Sequence, residues 1–494
     1  MRYISTRGSG SVSPSDAVLL GIAPDGGLFV PEQFPQVYNE LSAWRSLPYE
    51  ALCAKVLSLY FTDFTQQELL SHTTSAYRGK FPAEVVPVRG LGCGPFIMEL
   101  WQGPTLAFKD MALQVLPRLL SSAMDKTGEE STVLILVATS GDTGKAALEG
   151  FSDVPRTAIS VYYPKDGVSA TQRLQMVTQQ GTNVHVCAVR GNFDDAQTSV
   201  KEIFGDTAFS RQINEKGYRF SSANSINWGR LAPQIAYYFW AYFNMAKQGG
   251  IRFGDAINVA VPTGNFGNIL AAWYAKKMGL PIKNLICASN RNNILTDFFQ
   301  TGVYDRRREF YRTLSPSMDI LISSNLERML FEAVNRDSAR LCALMDSLKQ
   351  TGFFEVDQAV GSAFSDFYGG YLDDTATKAE IARVFREYGY LMDTHTAVAH
   401  GVYRSYVNQT GDHTPTVLAS TASPFKFAPD VLSALGEVWE GDELAACTAL
   451  SKVSGLPLPA QVASLNTAPI LHGAVCDKTA MRQDILSFLS KDNP

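Results

Sequence analysis

The sequence predicts an α/β protein with two doubly wound, open-sheet lobes and a mainly helical N-terminal region. Short apolar runs rich in β-branched residues recur along the chain, and several lead directly into polar, glycine-containing loops and then helical patterns. Such runs are typical of buried parallel strands, and their alternation with helices indicates sheets covered on both faces. The first 95 residues lack this strand–loop–helix unit, and the spacing of their apolar residues is mainly that of helices.

Composition is that of an ordinary globular protein, long enough for two or three domains. Of 494 residues, 46% are hydrophobic and 18% are charged. The formal net charge of −5, without a basic block, argues against nucleic acid as the main partner. The N-terminus is polar and no apolar run approaches membrane-spanning length, so we expect neither a signal peptide nor a membrane partner.

The cysteine and histidine patterns predict neither disulfides nor a metal centre. Seven scattered cysteines form no CxxC pair, which favours a reducing, cytoplasmic location. His395 and His400 are five residues apart rather than four, so we expect no metal-binding pair on one helical face.

Taken in order, the chain divides into four predicted segments. These are an N-terminal region, 1–95; a lobe with Lys109 and the 139–144 loop, 96–225; a second lobe with the 264–268 loop and Thr421, 226–440; and a helical tail, 441–494. Predicted strands are 28–30, 96–100, 133–137, 157–162, 183–189, 257–261, 285–289 and 416–419. Predicted helices are 52–61, 66–77, 107–120, 146–151, 169–180, 231–245 and a run ending at 278, and 303–415 is expected to be mostly helical.

The stretch 101–110, WQGPTLAFKD, holds the most informative lysine. A Gly-Pro turn precedes Thr105, which we expect to cap the helix that follows, so Lys109 would lie in its first turn. The positive end of a helix dipole disfavours an ammonium ion. Lys109, between Phe108 and Met111, is therefore a candidate for a lowered pKa and Schiff-base chemistry. The alternative is an ordinary helix lysine that extends to solvent.

The loop 138–145, ATSGDTGK, resembles a phosphate-binding P-loop but lacks two of its defining positions. Thr139 stands where the first glycine belongs, and Ala146 where a magnesium-binding hydroxyl belongs. A nucleotide hydrolase is therefore not expected. The loop still predicts an anion site at a helix N-terminus, for a carboxylate or phosphate, with a purely structural turn as the alternative.

The loop 262–268, PTGNFGN, predicts a second anion site. Gly264 and Gly267 allow close approach of the backbone, and the amides of 264–268 can converge on a dianion at a helix start. No GxGxxG motif is present, which argues against a nicotinamide dehydrogenase. Thr421, after the last strand, offers a neutral hydroxyl that can hydrogen-bond a ring nitrogen without protonating it.

An activatable lysine, two anion-binding loops and a strand-end hydroxyl together suggest pyridoxal 5'-phosphate. The motifs GPTLAFKD, TSGDTG, SANSIN, PTGNFGN and STASPFKF, in this order after an early DGGLFVPE, resemble those of threonine synthases with an N-terminal extension, found in bacteria and fungi. The resemblance runs from about residue 3 to about residue 435. It implies the tryptophan-synthase-β-like pyridoxal phosphate fold (fold type II) and a cytoplasmic monomer or homodimer.

The resemblance also implies roles for individual residues. Lys109 matches the lysine that binds the cofactor covalently, and Thr421 matches the partner of its pyridine nitrogen. The cup for the cofactor phosphate is implied at Gly264, Asn265, Phe266, Gly267 and Asn268. The substrate carboxylate is implied to bind Ser140, Gly141, Asp142 and Thr143; because related lyases often carry Asn in place of Asp142, no cofactor contact is assigned to it. Candidates for the cofactor's phenolic oxygen or the substrate phosphate are Asn224, Asn227, Arg230 and Lys426. The family's PAKF is PFKF here, which leaves Lys426 in place.

The reaction implied is the conversion of O-phospho-L-homoserine and water to L-threonine and phosphate. Lys109 would move protons at the α- and β-carbons of the substrate. Two alternatives stay open. One is a related phospho-lyase that releases 2-oxobutyrate, ammonia and phosphate, and the other is a protein that binds a phosphorylated ligand without pyridoxal phosphate.

Overall fold

The computed structural model describes residues 1–139 and 141–490. In chain order the strands of this part are β1 (Tyr3–Ser5), β2 (Ser11–Val12), β3 (Phe29–Pro31), β4 (Val88–Gly90), β5 (Phe96–Glu99), β6 (Thr132–Ala138), β7 (Thr157–Pro164), β8 (Val184–Arg190), β9 (Tyr218–Ser221), β10 (Ile257–Pro262), β11 (Ile282–Ser289), β12 (Val303–Asp305), β13 (Phe353–Glu355), β14 (Phe367–Tyr371), β15 (Thr416–Ser420) and β16 (Ala474–Asp477).

The α-helices of the same residues are α1 (Pro14–Leu20), α2 (Leu41–Trp44), α3 (Tyr49–Tyr60), α4 (Gln66–Tyr77), α5 (Asp110–Leu113), α6 (Leu116–Thr127), α7 (Asp142–Phe151), α8 (Ala170–Val177), α9 (Phe193–Gly205), α10 (Thr207–Glu215), α11 (Trp228–Lys247), α12 (Gly267–Lys277), α13 (Ile294–Thr301), α14 (Leu326–Ala333), α15 (Ser338–Thr351), α16 (Gln358–Ser362), α17 (Asp374–Tyr388), α18 (Thr394–Thr410), α19 (Ala428–Ala434), α20 (Glu443–Ser454), α21 (Ala460–Ala463) and α22 (Met481–Leu489). None of these helices is both long and apolar enough to span a membrane.

The first large sheet has five parallel strands in the order β16-β8-β7-β6-β9. Its central strands are buried along almost their whole length: β7 is buried at every residue and β6 at its five middle residues. That burial explains why their sequences are continuous apolar runs rather than alternating ones. The carboxyl end of β6 leads into the 139–142 loop and then into α7.

The second large sheet has six strands in the order β14-β11-β10-β15-β5-β4, and all pairs are parallel except β4 with β5. Three adjacent strands, β10, β15 and β5, therefore end at the same edge of the sheet. The segments that leave this edge are the 263–267 loop, residue 421 onward and the 101–109 loop. The Lys109 motif, the 264–268 loop and Thr421 thus all leave from the carboxyl edge of this sheet, where ligands of such sheets bind.

The N-terminal region is mainly helical, as predicted, and it packs against the long helix α11. The aromatic ring of Tyr3 lies 5.2 Å from that of Trp228, and Trp44 lies 5.6 Å from Phe239. A small antiparallel sheet, β2-β1-β3, adds to this region. The predicted α/β fold class with a helical N-terminal region is confirmed.

Several elements differ from prediction. The predicted helix 107–120 is two helices, α5 and α6, and Thr105 does not cap it because the chain becomes helical only at residue 110. The elements that were not predicted include α9, α10 and three strands of the large sheets, β4, β9 and β14. The tail, expected to be helical, also contains β16, which pairs with β8.

Sheet membership also crosses the predicted segment boundaries, because β5 pairs with β15 rather than with the strands of the 96–225 segment. The division at residues 95, 225 and 440 stays a prediction.

Candidate active site

Lys109 directly precedes α5 and is buried, with 9% of its side chain exposed. Its Nζ lies 3.3 Å from Oδ2 of Asp142 and 3.1 Å from Oγ of Ser317. Burial lowers the pKa of Lys109; the Asp142 carboxylate opposes this shift, and the cations Lys426 and Arg230 reinforce it. The direction matches the expectation, but burial rather than the dipole of the four-residue α5 is its main cause.

The turn that holds Lys109 is hydrogen-bonded to the segment after β15. Leu106 adopts a left-handed backbone with φ of 58°, and its carbonyl accepts from the amide of Ser423 at 3.0 Å. The amide of Phe108 donates to the carbonyl of Thr421 at 2.8 Å. These bonds delay the start of the helix and fix Lys109 beside Thr421.

Asp142, the first residue of α7, lies between two lysines. Its Oδ1 lies 2.8 Å from Nζ of Lys426 and accepts from Nε2 of Gln172 at 3.1 Å. Burial opposes ionisation of Asp142, but the ammonium groups of Lys426 and Lys109 together hold its pKa well below the usual range. Asp142 is therefore an ionised carboxylate that joins the 139–144 loop to the two lysines.

The buried charges around Lys109 are mostly positive. Arg230 is buried, donates to the carbonyl of Ala223 at 2.8 Å, and has a pKa that burial lowers to about 10. Lys426 also donates to the carbonyl of Thr105 at 2.9 Å. A second carboxylate, Asp110, has a pKa that burial raises to about 7. Two lysines and an arginine are thus buried around one ionised carboxylate, Asp142, while the Asp110 carboxyl is bonded to Thr105.

Thr139 shapes the 139–144 loop. Its hydroxyl accepts from the amides of Gly141 at 3.0 Å and Gly144 at 2.9 Å, and a Cβ on Gly144 would lie 2.3 Å from Cγ2 of Thr139. Thr143 is half-buried. Ser140, predicted to bind the substrate carboxylate, lies outside the described residues.

The 264–268 loop packs against the same turn that contacts Lys109. A Cβ added to Gly264 would lie 2.4 Å from the carbonyl oxygen of Ser317, so only glycine fits there. Phe266 has a left-handed φ of 63°, an arrangement that costs about 1 to 3 kcal/mol for such a residue. Its ring is buried against Phe367 at 5.6 Å, which holds the strained backbone in place.

The two asparagines of this loop have different surroundings. The carbonyl of Asn265 accepts from the backbone and side-chain amides of Asn325 at 3.1 and 2.9 Å. Asn268 is buried and its Oδ1 accepts from the hydroxyl of Tyr237 at 2.7 Å and from that of Tyr238. Its Nδ2 is buried without a hydrogen-bond partner among the described residues.

Thr421 follows β15 and is 5% exposed. Its hydroxyl makes no hydrogen bond to any residue that the structure describes, although it lies in the segment that is bonded to the Lys109 turn. An unpaired hydroxyl at this position is available to water or to a ligand.

Three family models match the chain along most of its length. One described as "Threonine synthase N terminus" matches residues 2–77, one described as "Pyridoxal-phosphate dependent enzyme" matches 79–421, and one described as "Threonine synthase, C-terminal" matches 396–470. The chain belongs to the threonine synthase family. The family matches confirm the predicted cofactor, pyridoxal 5'-phosphate.

Similar proteins support the same family. A threonine synthase of Pseudomonas aeruginosa is 40% identical over 91% of this chain and 96% of its own. Human Threonine synthase-like 1 is 40% identical over 95% of this chain, which spans 63% of that longer protein. Among solved structures, pyridoxal-phosphate-bound threonine synthase from Brucella melitensis has a TM-score of 0.88 at 36% identity, and the yeast enzyme 0.89 at 32%; each match covers 99% of both chains.

The site of this threonine synthase family member has the groups that the cofactor requires. A buried lysine with a lowered pKa can form the covalent link. The strained loop at the start of α12 and the unpaired Nδ2 of Asn268 can donate hydrogen bonds to the phosphate of the cofactor. The free hydroxyl of Thr421 can pair with a neutral ring nitrogen. The residues present therefore fit pyridoxal phosphate.

The structure separates the four substrate candidates of the sequence analysis. Arg230 and Lys426 are buried and both act electrostatically on Lys109. Asn224 is exposed, and its side chain accepts from Ser225. Asn227 caps α11: its Oδ1 accepts from Gly229, and its Nδ2 donates to the carbonyls of Val18 and Ser222. With its amide used in this way, Asn227 acts as a structural cap.

Sequence reasoning missed Ser317 and His395. His395 was considered only as half of a metal pair with His400, but the two side chains have different partners: His395 bonds Asp393 and His400 bonds Glu380. Ser317 lies in a short turn, Pro316–Met318, inside a region predicted to be helical. Asp393 two residues before His395, at a helix start, is the local signal that could have indicated a paired histidine.

Proposed function

We propose that this protein converts O-phospho-L-homoserine and water to L-threonine and phosphate. The observation that carries the proposal is the excess of buried positive charge around Lys109. Lys109, Lys426 and Arg230 lie in one buried cluster with Asp142, and uncompensated buried cations are costly unless an anion joins them. A substrate with both a carboxylate and a phosphate supplies such anions.

Each part of the substrate has a candidate site. The amides of Asp142 and Thr143 and the hydroxyl of Thr143, at the start of α7, would bind the carboxylate, with Ser140 as a further predicted partner. The guanidinium of Arg230 and the ammonium of Lys426 would bind the substrate phosphate, because the 264–268 loop is assigned to the phosphate of the cofactor. Charge-assisted bonds of this kind contribute about 1.5 to 3 kcal/mol each.

Lys109 and Thr421 would control the chemistry. When bound, pyridoxal phosphate supplies an electron sink for negative charge at the α-carbon of the substrate. Lys109, freed by the substrate's amino group, would move protons at the α- and β-carbons while phosphate leaves from the γ-carbon and water adds at the β-carbon. The hydroxyl of Thr421 would hold the ring nitrogen neutral, since it offers no negative charge to stabilise a protonated ring.

A second candidate is a phospho-lyase that releases 2-oxobutyrate, ammonia and phosphate. Identity to Threonine synthase-like 1, at 40%, equals that to the Pseudomonas threonine synthase, so similarity alone does not separate the two. Both reactions release phosphate, and only the first adds water to give an amino acid. The expected cytoplasmic location and monomeric or homodimeric state stay predictions.

The products decide between the candidates. Purified protein with bound pyridoxal phosphate should turn O-phospho-L-homoserine into equal amounts of threonine and phosphate, and Lys109→Ala should be inactive. Accumulation of 2-oxobutyrate and ammonia in place of threonine would establish the second candidate. Protein that binds no pyridoxal phosphate and releases no phosphate would contradict both.

The phosphate site can be tested with Arg230→Ala and Lys426→Met. Each should raise KM for O-phospho-L-homoserine by roughly tenfold or more, because one charge-assisted bond is lost, and each should weaken inhibition by added phosphate. Lys145→Ala is the matched control, since its Nζ pairs with Glu149 and Gln179 instead. Unchanged KM and phosphate inhibition in both variants would place the substrate phosphate elsewhere.

A further inference from the structure

The turn Pro316–Met318 contacts the reacting group directly. The hydroxyl of Ser317 accepts from Nζ of Lys109 at 3.1 Å. Lys109 Nζ has one other hydrogen-bond partner among the described side chains, the carboxylate of Asp142 at 3.3 Å. A carboxylate can only accept, whereas a serine hydroxyl can both accept and donate. Ser317 is therefore the neighbour that can hydrogen-bond Lys109 both as an ammonium ion and as a neutral amine.

His395 fixes the position of this turn from the start of α18. Nε2 of His395 lies 3.2 Å from the amide of Ser317, and Nδ1 lies 2.8 Å from Oδ2 of Asp393. The amide can only donate and the carboxylate can only accept, so the imidazole is neutral with its proton on Nδ1. Asp393 is itself fixed, because it caps α18 through the amides of His395 and Thr396.

The other side of the turn faces the 264–268 loop. The carbonyl oxygen of Ser317 lies 2.4 Å from the point that a Cβ on Gly264 would occupy, and the hydroxyl of Ser323, a few residues after the turn, donates to the carbonyl of Gly264 at 2.7 Å. Ser317 thus sits between the predicted phosphate cup, a buried histidine and Lys109, and a shift of the turn would move its hydroxyl relative to Nζ.

We propose that Ser317 is a catalytic residue that orients the Lys109 amine, and that His395 and Asp393 are positioning residues that act through the Ser317 amide. The proposal rests on the proposed function, in which Lys109 alternates between amine and ammonium. As ammonium, Lys109 donates to Asp142 and Ser317. As a neutral amine, Lys109 has a lone pair on Nζ. The Asp142 carboxylate has no hydrogen to donate to this lone pair, whereas the Ser317 hydroxyl donates to it. Without that hydroxyl, Asp142 alone remains and favours the ammonium form.

The direct test is Ser317→Ala in the holoenzyme. We expect kcat to fall by about tenfold, the effect of one hydrogen bond to a charged group, with KM for O-phospho-L-homoserine changed less than about threefold. A second measurement starts from protein whose cofactor has been removed. Pyridoxal phosphate is added at neutral pH, and the amount linked to Lys109 is followed over time by trapping with borohydride. The rate of this attachment should fall by a similar factor. Parental values of both kcat and the attachment rate would overturn the proposal, as would a rise in KM alone.

Variants of His395 test the positioning role. The kcat of His395→Phe should be lowered about as much as that of Ser317→Ala. The kcat of the double variant should be no lower than that of either single variant, because both changes remove the same interaction between Ser317 and Lys109. His395→Gln, whose side-chain oxygen can accept from the amide, should recover part of the loss. Additive losses in the double variant would overturn the role of His395. If His395→Phe does not fold, His395→Gln and Ser317→Ala still test the proposal.

The controls are a histidine as buried as His395 and a buried serine in the first sheet, away from Lys109. His400, also on α18, is buried and pairs with Glu380, and Ser160 is buried within β7. His400→Phe and Ser160→Ala should leave both rates unchanged in folded protein. Attachment of pyridoxal phosphate does not depend on which product is released, so a parent that makes 2-oxobutyrate would contradict the proposed function and leave this inference standing.

Discussion

At the scale of single residues, Thr421 gives a sharp test of the ring partner. Thr421→Asp places a carboxylate where the structure has a free hydroxyl, which favours a protonated ring nitrogen. The visible spectrum should change, and the ratio of 2-oxobutyrate to threonine should rise. Thr421→Ser keeps the hydroxyl and should stay close to the parent. An Asp variant with the spectrum and product ratio of the parent would show that Thr421 does not contact the ring.

Asp110, next to Lys109, gives a pH dependence of stability with a definite sign. Its carboxylate accepts from the amide and hydroxyl of Thr105 at 2.8 and 2.7 Å, yet burial raises its pKa to about 7. The pKa of an unfolded aspartate is about 3.9. Because the folded pKa of Asp110 is higher, its protonated form stabilises the fold; this stabilisation is complete below about pH 3.9 and is lost as the pH rises to about 7. Between pH 5 and pH 8 the loss should be about 2 to 3 kcal/mol.

Asp110→Asn removes this titration with little change of shape. The amide oxygen can accept from the amide of Thr105, and the amide nitrogen can donate to its hydroxyl. Urea unfolding at pH 5 and pH 8 should show a larger drop in the free energy of unfolding for the parent than for the variant. Equal drops would mean that Asp110 ionises normally in the folded protein.

At the scale of elements, the 264–268 loop contains two glycines with different surroundings. A Cβ at Gly264 would meet the Ser317 carbonyl at 2.4 Å, whereas one at Gly267 would meet nothing closer than Nδ2 of Asn325 at 3.4 Å. Gly264→Ala should therefore displace the Ser317 turn, lower affinity for pyridoxal phosphate and slow its attachment to Lys109. Gly205→Ala is the matched control, because Gly205 lies in α9 and an added Cβ there would meet nothing within 4 Å; it should retain the cofactor during dialysis. Equal retention by both would place the cofactor phosphate away from Gly264.

Local sequence patterns predicted the elements of this fold better than the contacts between them. The apolar run of β6 and the spacing of α4 depend on burial within one element, and both were predicted within a residue or two. Lys109 and Thr421 were found because each follows a strand in a recognisable motif. Ser317 and His395 are brought to Lys109 only by tertiary packing across more than 200 residues of chain, which no local periodicity encodes.

At the scale of the whole molecule, the candidate site joins two sheets that the chain builds separately. The loop after β6 supplies Asp142, while the segments beside β5, β10 and β15 supply Lys109, the 264–268 loop and Lys426. The ion pairs of Asp142 with Lys109 and Lys426 therefore link the segments of the two sheets. Ligand binding at this junction is expected to stabilise the molecule as a whole, since segments from both sheets contribute to the site.

The tail stabilises the first sheet at a distance from these ion pairs. In α22, Phe488 is buried and stacks on His185 of β8 at 5.1 Å, and the carboxylate of Asp484 accepts from the hydroxyl of Tyr162 at 2.8 Å. The helix thus covers the side of the sheet where β16 forms the edge. Truncating its aromatic anchor leaves a cavity in this cluster, and changes of this kind cost about 3 to 5 kcal/mol.

Phe488→Ala should therefore lower the unfolding midpoint strongly, while kcat and KM of the protein that remains folded stay at parental values. Gln483→Ala, on the exposed face of the same helix, should change stability by less than about 0.5 kcal/mol. Thermal unfolding and steady-state kinetics, measured well below both midpoints, separate the two effects. A parental midpoint in Phe488→Ala would contradict the supporting role of α22, and a changed KM in folded protein would show that the tail acts on the site.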